Sequence, residues 1–278
     1  MKKLLYITGI LTALWSCTER VDIDLDSTWQ RLVVDGYITT DTTSHFIKLS
    51  KTTDYYYNQE PPAVTGAIVE ISDNQGNTVR FDEQEDGLYY SPPDYYAETG
   101  KTYTLNIRLE EEINGYKDYS ASSTVLDIYP VDSISLLYHS DWGTEGFYEV
   151  QCWYQDPVSA DFYMFNIFKN QVLMTDTIDK RMVTDDLLYN GSYTNGIGVG
   201  WLDQSIEREK VNPGDTIVFQ AAKITEEYAN YIWTLQTEIS FNTPLFSGPP
   251  ANVKSNVSNG AVGFFAVYSV TYSSAIAK

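Results

Sequence analysis

Short apolar segments separated by turn residues recur along this sequence about every 8–12 positions, and this spacing constrains the fold more than any other feature. Within Ser44–Ser50 apolar and polar residues alternate, as in a strand with one buried face. Asp73–Asn77 lies between two such segments and supplies the Asn and Gly that a hairpin turn needs. The sequence therefore predicts an all-β, mainly antiparallel fold. It begins with an immunoglobulin-like or transthyretin-like sandwich over residues 31–128.

The composition agrees with strands and excludes two classes of protein. The chain has 23 Tyr and 11 Phe, and residues of this kind favour strands over helices. Apolar residues make up 43% of the chain, which excludes a disordered protein. Asp and Glu number 38 against 18 Lys and Arg, so the formal charge is −20. Such a chain repels phosphate backbones, and nucleic-acid binding is therefore excluded.

A boundary between two parts of the chain is predicted at Tyr129-Pro130, because proline and the residue before it interrupt strand pairing. Strand-like segments resume at Ser133 and continue to Tyr272. We therefore expect residues 129–278 to form a second, β-rich domain.

One helix is expected in this second domain, near residues 225–240. Thr225 is a suitable N-cap, and Glu226 and Glu227 place negative charge in the first turn. Apolar residues then recur on one helical face, namely Tyr228, Tyr231, Ile232, Leu235 and Ile239. This face is typical of a helix that covers a core, although a partner-binding helix has the same pattern.

The amino terminus has the proportions of a secretory signal peptide. Lys2 and Lys3 precede an apolar run, Leu4–Trp15, which is shorter than the ~20 residues that cross a bilayer. The segment Leu14-Trp15-Ser16-Cys17 at the end of this run resembles a bacterial lipoprotein signal, except for the bulky Trp15. We expect residues 1–16 to be removed and Cys17 to carry the lipid. An ordinary signal peptide with an incidental cysteine is the alternative.

Residues 17–30 are polar and acidic, and we expect them to form a tether. Several acyl chains anchor a protein stably, and a strongly acidic body must then be held away from anionic headgroups. The other cysteine, Cys152, lies in an apparent strand. It is expected to pack in a core, the alternative being a reactive thiol.

Several motifs occur in an order that resembles one protein family. They are the segments Arg31–Ile38, Lys48–Ser50, Pro62–Ile71, Asp86–Tyr89, Gly100–Leu105 and Pro249–Phe265. Together they resemble a lipoprotein family of the Bacteroidota catalogued as domain of unknown function 4249. Its members are usually encoded beside TonB-dependent outer-membrane transporters, so the resemblance implies an outer-membrane lipoprotein with a role linked to transport. It leaves open which face of the membrane carries the protein, and it implies no catalytic residues.

No catalytic, metal or cofactor site can be assembled from the sequence. His45 and His139 lie far apart and lack ligands at zinc-site spacing. The acidic residues near Asp22 and the Asp73–Asn77 turn lack the spacing of an EF-type calcium loop. Gly196–Gly200 lacks the strand–turn–helix context of a dinucleotide loop, and we interpret it as a strand or bulge. The chain is therefore predicted not to be an enzyme, and an enzyme with an unrecognised site is the least favoured alternative.

Clusters of aromatic residues in loop-like segments are the best candidates for partner or ligand contact. Adjacent aromatic side chains cannot all point into one core, and exposed tyrosines suit protein interfaces, peptides or sugar rings. The candidates are Tyr55, Tyr56, Tyr57, Tyr95, Tyr96 and Trp142. The alternative is that these rings pack across the ends of strands.

Two classes of function remain. In the first, the protein is a non-enzymatic envelope lipoprotein accessory to a TonB-dependent transporter, which binds the transporter, a peptide or glycan cargo, or both. In the second, it is a structural lipoprotein that organises the cell surface without a small ligand.

Overall fold

The computed structural model describes residues 30–53, 60–240 and 253–278, and in these ranges the chain is mainly antiparallel β-structure with one α-helix. The predicted all-β fold is thereby confirmed. The strands are β1 Leu32–Thr39, β2 Phe46–Lys51, β3 Ile68–Asp73, β4 Thr78–Glu85, β5 Leu88–Tyr90, β6 Thr102–Ile113, β7 Tyr116–Thr124, β8 Ser133–His139, β9 Phe147–Trp153, β10 Phe162–Lys169, β11 Val172–Leu173, β12 Met182–Asp185, β13 Ile197–Asp203, β14 Thr216–Ile224 and β15 Val262–Ile276; the helix α1 is Glu226–Ser240.

The first unit, formed by β1–β7 with the first half of β15, is a sandwich around one core. Its strands follow the order β15-β1-β2-β5-β4-β3-β6-β7. Alternate residues along the strands point inward, which is the period of a half-buried strand. They include Leu32, Val34, Ile47, Leu49, Ile71, Leu105 and Ile107. β7 lies beside β15, where the Val267 amide donates to Ser123 Oγ at 3.0 Å. The expected hairpin turn at Asp73–Asn77 joins β3 to β4.

The second unit, formed by β8–β14, α1 and the rest of β15, is a second sandwich. In one sheet β10 pairs with β11, β12 and β14, and β14 pairs in turn with β15. The facing sheet contains β13, β9 and β8 in that order. The core between the sheets includes Val150, Cys152, Phe165, Ile167, Leu202, Ile217 and Phe219. Cys152 is fully buried there, as expected. The glycine-rich segment is strand β13, with a bulge between Gly198 and Gly200.

The last strand, β15, belongs to both units. Val262–Tyr268 pairs in parallel with β1, and Ser269–Ile276 pairs antiparallel with β14. The sequence-based division at residue 129 assigned this whole strand to the second domain, and the pairing corrects that assignment. A parallel pair between strands at opposite ends of the chain leaves no local signal in the sequence, because no turn joins them.

Helix α1 covers the outer face of β10, β14 and β15. It begins at Glu226, and Thr225 Oγ1 accepts a hydrogen bond from the Tyr228 amide at 3.3 Å, so the predicted cap is confirmed. Tyr228 and Ile232 pack with Phe264 and other apolar residues of the three strands. No helix within the described ranges has the length and apolar character that crossing a membrane requires.

Candidate functional site

The structure separates the aromatic residues that the sequence nominated for contact. Residues 1–29, with Cys17 and most of the tether, and Tyr55, Tyr56 and Tyr57 lie outside the described residues. Tyr95 and Tyr96 line a cleft of about 240 Å³ in the first unit, together with Tyr103 and the Asp73–Asn77 turn. Trp142 follows β8 in the second unit.

Tyr95 and Tyr96 have different environments although they are neighbours. The Tyr95 ring is half-buried and packs against the first core, meeting Phe81 edge-on at 5.8 Å and His45 at 6.2 Å. The Tyr96 side chain is 50% exposed. Tyr95 therefore fits the alternative in which the ring packs at a strand end, and Tyr96 is the residue of this pair that is available to a partner.

One of the three acidic residues that line this cleft, Asp73, has a structural role. Asp73 Oδ1 accepts hydrogen bonds from the amides of Gln75 at 3.0 Å and Asn77 at 2.9 Å. Its Oδ2 lies 3.1 Å from Lys101 Nζ. The Asn77 side chain, with these other partners, holds the Asp73 pKa well below its usual range. The carboxylate therefore closes the β3–β4 turn, and the cleft is small, with both acidic and aromatic side chains in its lining.

Trp142 stacks on a histidine. The two rings are nearly parallel, with centroids 3.7 Å apart, and the His139 Nε2 atom lies 2.9 Å from Glu149 Oε2. The Trp142 side chain remains 40% exposed. His45, in contrast, is buried in the first unit, where its Nε2 contacts the Asp41 carbonyl at 3.1 Å. The two histidines are therefore held in different units by separate contacts.

A larger cleft of about 640 Å³ lies in the second unit, where residues from both sheets and from α1 meet. This volume is within the range of ligand-binding sites. Its apolar lining includes Phe147, Ile167, Met174, Val199, Trp201 and Leu202. The Trp201 side chain is 44% exposed. An exposed indole beside apolar side chains can cover the flat face of a peptide side chain or a sugar ring.

Polar contacts fix the surroundings of this larger cleft. Lys180 Nζ pairs with Glu209 Oε1, and the Asp203 amide donates to Glu209 Oε2 at 3.0 Å. Gln236 Nε2 donates to the carbonyls of Ile178 and Arg181 at 2.8 and 2.7 Å, which ties α1 to the segment before β12. The cleft thus combines an apolar floor with a few oriented polar groups, as binding sites commonly do.

The sequence did not identify Trp201 as a candidate contact residue, because the preceding segment Gly196–Gly200 was considered only as a possible dinucleotide-binding loop. The available signal was an aromatic residue directly after a glycine-rich strand. Glycine in a strand commonly marks a bulge or a close approach of another group. In the structure a Cβ at Gly200 would lie 2.1 Å from the Ile167 side chain, so the glycine lets β13 approach β10 here. Nothing in the sequence, however, indicates that these segments meet.

Comparison with known proteins gives a family and a distant structural likeness. A family model described as "Domain of unknown function (DUF4249)" matches residues 18–274, and no curated protein matches the chain. Among solved structures, the chicken CNTN1 FN1–FN3 domains align over 68% of this chain and 57% of that chain, with 12% identity and a TM-score of 0.26. The two fibronectin type-III domain segment from chicken tenascin aligns over 70% of this chain and 90% of that chain, with 16% identity and a TM-score of 0.20.

Proposed function

Because the chain belongs to the family of domain of unknown function DUF4249, we propose that it is a non-enzymatic cell-envelope lipoprotein. In this proposal Cys17 carries the lipid, residues 17–30 form the tether, and the protein acts beside a TonB-dependent transporter in the outer membrane of a member of the Bacteroidota. It binds a peptide or glycan cargo for that transporter. The observation that carries the binding role is the 640 Å³ cleft that Trp201 helps to line.

The chemistry of this cleft supports a cargo with both a polar and an apolar side. Phe147, Trp201 and Ile206 offer apolar surface, while Lys180 and Glu209 lie among the polar lining. An apolar lining with a few fixed polar groups orients a ligand as well as holding it. The formal charge of −20 favours neutral or cationic cargo over anionic cargo.

The cargo role is tested with two single tryptophan variants. Trp201→Ala removes the exposed indole of the cleft, and Trp142→Ala removes a similarly exposed indole elsewhere in the second unit. The full-length proteins are purified from native membranes, and small molecules released on denaturation are identified by mass spectrometry. We expect Trp201→Ala to lose the cargo, since a binding hot spot contributes about 2 kcal/mol, or about thirtyfold in affinity. Trp142→Ala should retain it. Equal recovery from both variants would refute the assignment of the cleft.

The anchor is tested separately at Cys17. A Cys17→Ala variant should lose acylation in metabolic labelling and leave the membrane fraction, because the thiol is the expected attachment point. A variant that remains acylated would contradict the lipoprotein proposal, whatever the outcome at Trp201.

A structural lipoprotein without a small ligand is the second candidate, and the distribution of exposed aromatic residues favours it. Tyr96 lies in the first unit and Trp142 in the second, outside the 640 Å³ cleft. Separate exposed rings suit several protein contacts better than one ligand site. Recovery of envelope proteins without any small molecule, reduced by Tyr96→Ala or Trp142→Ala but not by Trp201→Ala, would support this candidate.

A further inference from the structure

The 640 Å³ cleft follows the edge of a strand. Five consecutive residues of β13, residues 199–203, line it. Side chains of a strand alternate between the two faces of its sheet, so a cleft over one face would meet only every second residue. Among the described residues β13 is the outermost strand of its sheet and pairs only with β9. The cleft therefore runs along the free edge of β13, the side of the strand that faces away from β9.

The main chain of Trp201 points into the cleft. The Gln204 amide donates at 3.1 Å to the carbonyl of the residue before β9, whereas the Asp203 amide points the other way and donates at 3.0 Å to Glu209 Oε2. Backbone groups of successive strand residues point to opposite edges, so those of Leu202 face β9 and those of Trp201 face the cleft. Neither the N–H nor the C=O of Trp201 has a hydrogen-bond partner among the described residues. A backbone donor and a backbone acceptor therefore stand unpaired at the free edge of β13.

Another wall of the cleft, residues 179–183, is also a continuous stretch of chain, but its carbonyls are paired with α1. Trp233 Nε1 donates to the Val183 carbonyl at 3.1 Å, and Gln236 Nε2 donates to the Arg181 carbonyl at 2.7 Å. These two acceptors are therefore already satisfied, whereas the main chain at the free edge of β13 is not. A ligand that forms backbone hydrogen bonds in this cleft would form them with β13.

We propose that the cleft binds an extended peptide, which adds as a further strand to the free edge of β13. This inference rests on the proposed function, in which the cleft is the cargo site, and it makes that cargo a peptide. An unpaired strand edge presents N–H and C=O groups at the spacing of another strand's main chain, and strand addition is a recurring mode of peptide recognition. A sugar chain has no such repeat of backbone donors and acceptors. The Trp201 main chain would donate one hydrogen bond to the peptide and accept one from it.

The side chains and charges of the cleft define the kind of peptide. Residues directly opposite each other on paired strands place their side chains on the same face, so the peptide residue opposite Trp201 would lie beside the exposed indole. An aromatic or β-branched residue is favoured at that position. Carboxylates outnumber cations in the lining, which contains Asp179, Asp203 and Glu209 together with Lys180 and Arg181. A neutral or basic peptide is therefore favoured over an acidic one.

Strand addition is tested with synthetic peptides. The full-length protein is screened against a library of synthetic octapeptides, and the tightest neutral or basic binder is then N-methylated at one backbone amide at a time. Alternate amides of an added strand face β13, so methylation should weaken binding about tenfold at every second amide of the paired stretch. At the amides between them the effect should be less than about threefold. A library without a binder, or losses without this period of two, would overturn the inference.

Two matched variants locate the peptide on β13. Trp201→Ala and Trp201→Pro both lack the indole, but only the proline variant also lacks the amide N–H. Proline is tolerated on an edge strand where its missing donor faces away from the neighbouring strand, so Trp201→Pro should fold, whereas Leu202→Pro should not. The selected octapeptide should bind Trp201→Pro about tenfold more weakly than Trp201→Ala. If Trp201→Pro does not fold, hydrogen exchange at the wild-type Trp201 amide replaces it, and binding should slow that exchange about tenfold. Equal affinities, or unchanged exchange, would overturn the inference.

Failure of this inference and failure of the proposed function give different results. If the cargo that Trp201→Ala loses from native membranes is a glycan, the peptide assignment is overturned and the cargo role stands. If the octapeptide binds at β13 but the native cargo does not depend on Trp201, the cargo role is refuted and the strand-addition site stands. Light scattering covers the remaining occupant: a dimer of the full-length protein that Trp201→Pro dissociates would place a second copy on β13 and overturn the peptide assignment.

Discussion

Tyr95 and Tyr96 are neighbours in the chain, but their different environments should give them different contributions to stability. The Tyr95 ring contacts Phe81 and His45, whereas Tyr96 is half exposed. We expect Tyr95→Ala to lower the free energy of unfolding by about 2 kcal/mol, because it leaves a gap beside the core. Tyr96→Ala should change it by less than about 0.5 kcal/mol. Urea unfolding of both variants checks this, and equal losses would show that Tyr96 is also a core residue.

Burial suppresses the reactivity of the Cys152 thiol. It is completely inaccessible, and burial raises the pKa of its thiol to about 12. The thiolate is the reactive species, so we expect no reaction with a thiol reagent at pH 8 in the folded protein and rapid reaction in urea. The Cys17→Ala variant provides the measurement without interference from a second thiol. Rapid labelling under native conditions would contradict this prediction.

His45 gives the first unit a dependence on pH. Burial lowers its pKa below the ordinary value of 6.5, so the folded protein binds a proton at this site less readily than the unfolded chain. The contribution of neutral His45 to the free energy of unfolding is therefore fully present above about pH 6.5. It is lost as the pH falls below that value. His45→Gln should flatten the dependence of urea-unfolding midpoints on pH between about 5 and 7. Parallel profiles for wild type and variant would argue against a buried neutral His45.

At the scale of elements, the sequence predicted those turns and caps that are formed by hydrogen bonds between residues close together in the chain. The β3–β4 turn at Asp73–Asn77 and the helix cap at Thr225 follow from short-range hydrogen bonds that the sequence displays directly. The pairing of β1 with β15 and the meeting of both sheets with α1 at the 640 Å³ cleft depend on segments far apart in the chain. Residues of this kind become neighbours only through the tertiary fold, so no sequence spacing revealed them.

The parallel β1–β15 pair depends on one glycine. Gly263 has a φ of +95°, and a Cβ there would lie 1.9 Å from the Val34 carbonyl oxygen. Gly263→Ala should therefore cost on the order of 3 kcal/mol or more, because backbone must move. Gly100→Ala is the control: its φ is +81° but nothing lies within 4 Å, so we expect a cost of about 1 kcal/mol. Equal costs in chemical unfolding would show that the close approach contributes nothing.

At the scale of the whole molecule, β15 is one continuous strand that belongs to both sandwiches. Phe265 and Val267 lie in the core of the first unit, and Phe264 and Tyr268 pack beneath α1 on the second. Unfolding either unit removes a pairing partner from this strand. The two units should therefore depend on each other for stability, unlike domains that are joined only by a linker.

This dependence predicts a single unfolding transition. Hydrogen exchange measured by mass spectrometry at increasing urea should give the same midpoint for peptides covering β2 in the first unit and β10 in the second, because coincident probes indicate two-state behaviour. Gly263→Ala changes only the β1 side of β15, yet it should shift both midpoints together. Separate midpoints in the wild type, or a shift confined to β2 in the variant, would show that the sandwiches fold independently and that the shared strand does not couple them.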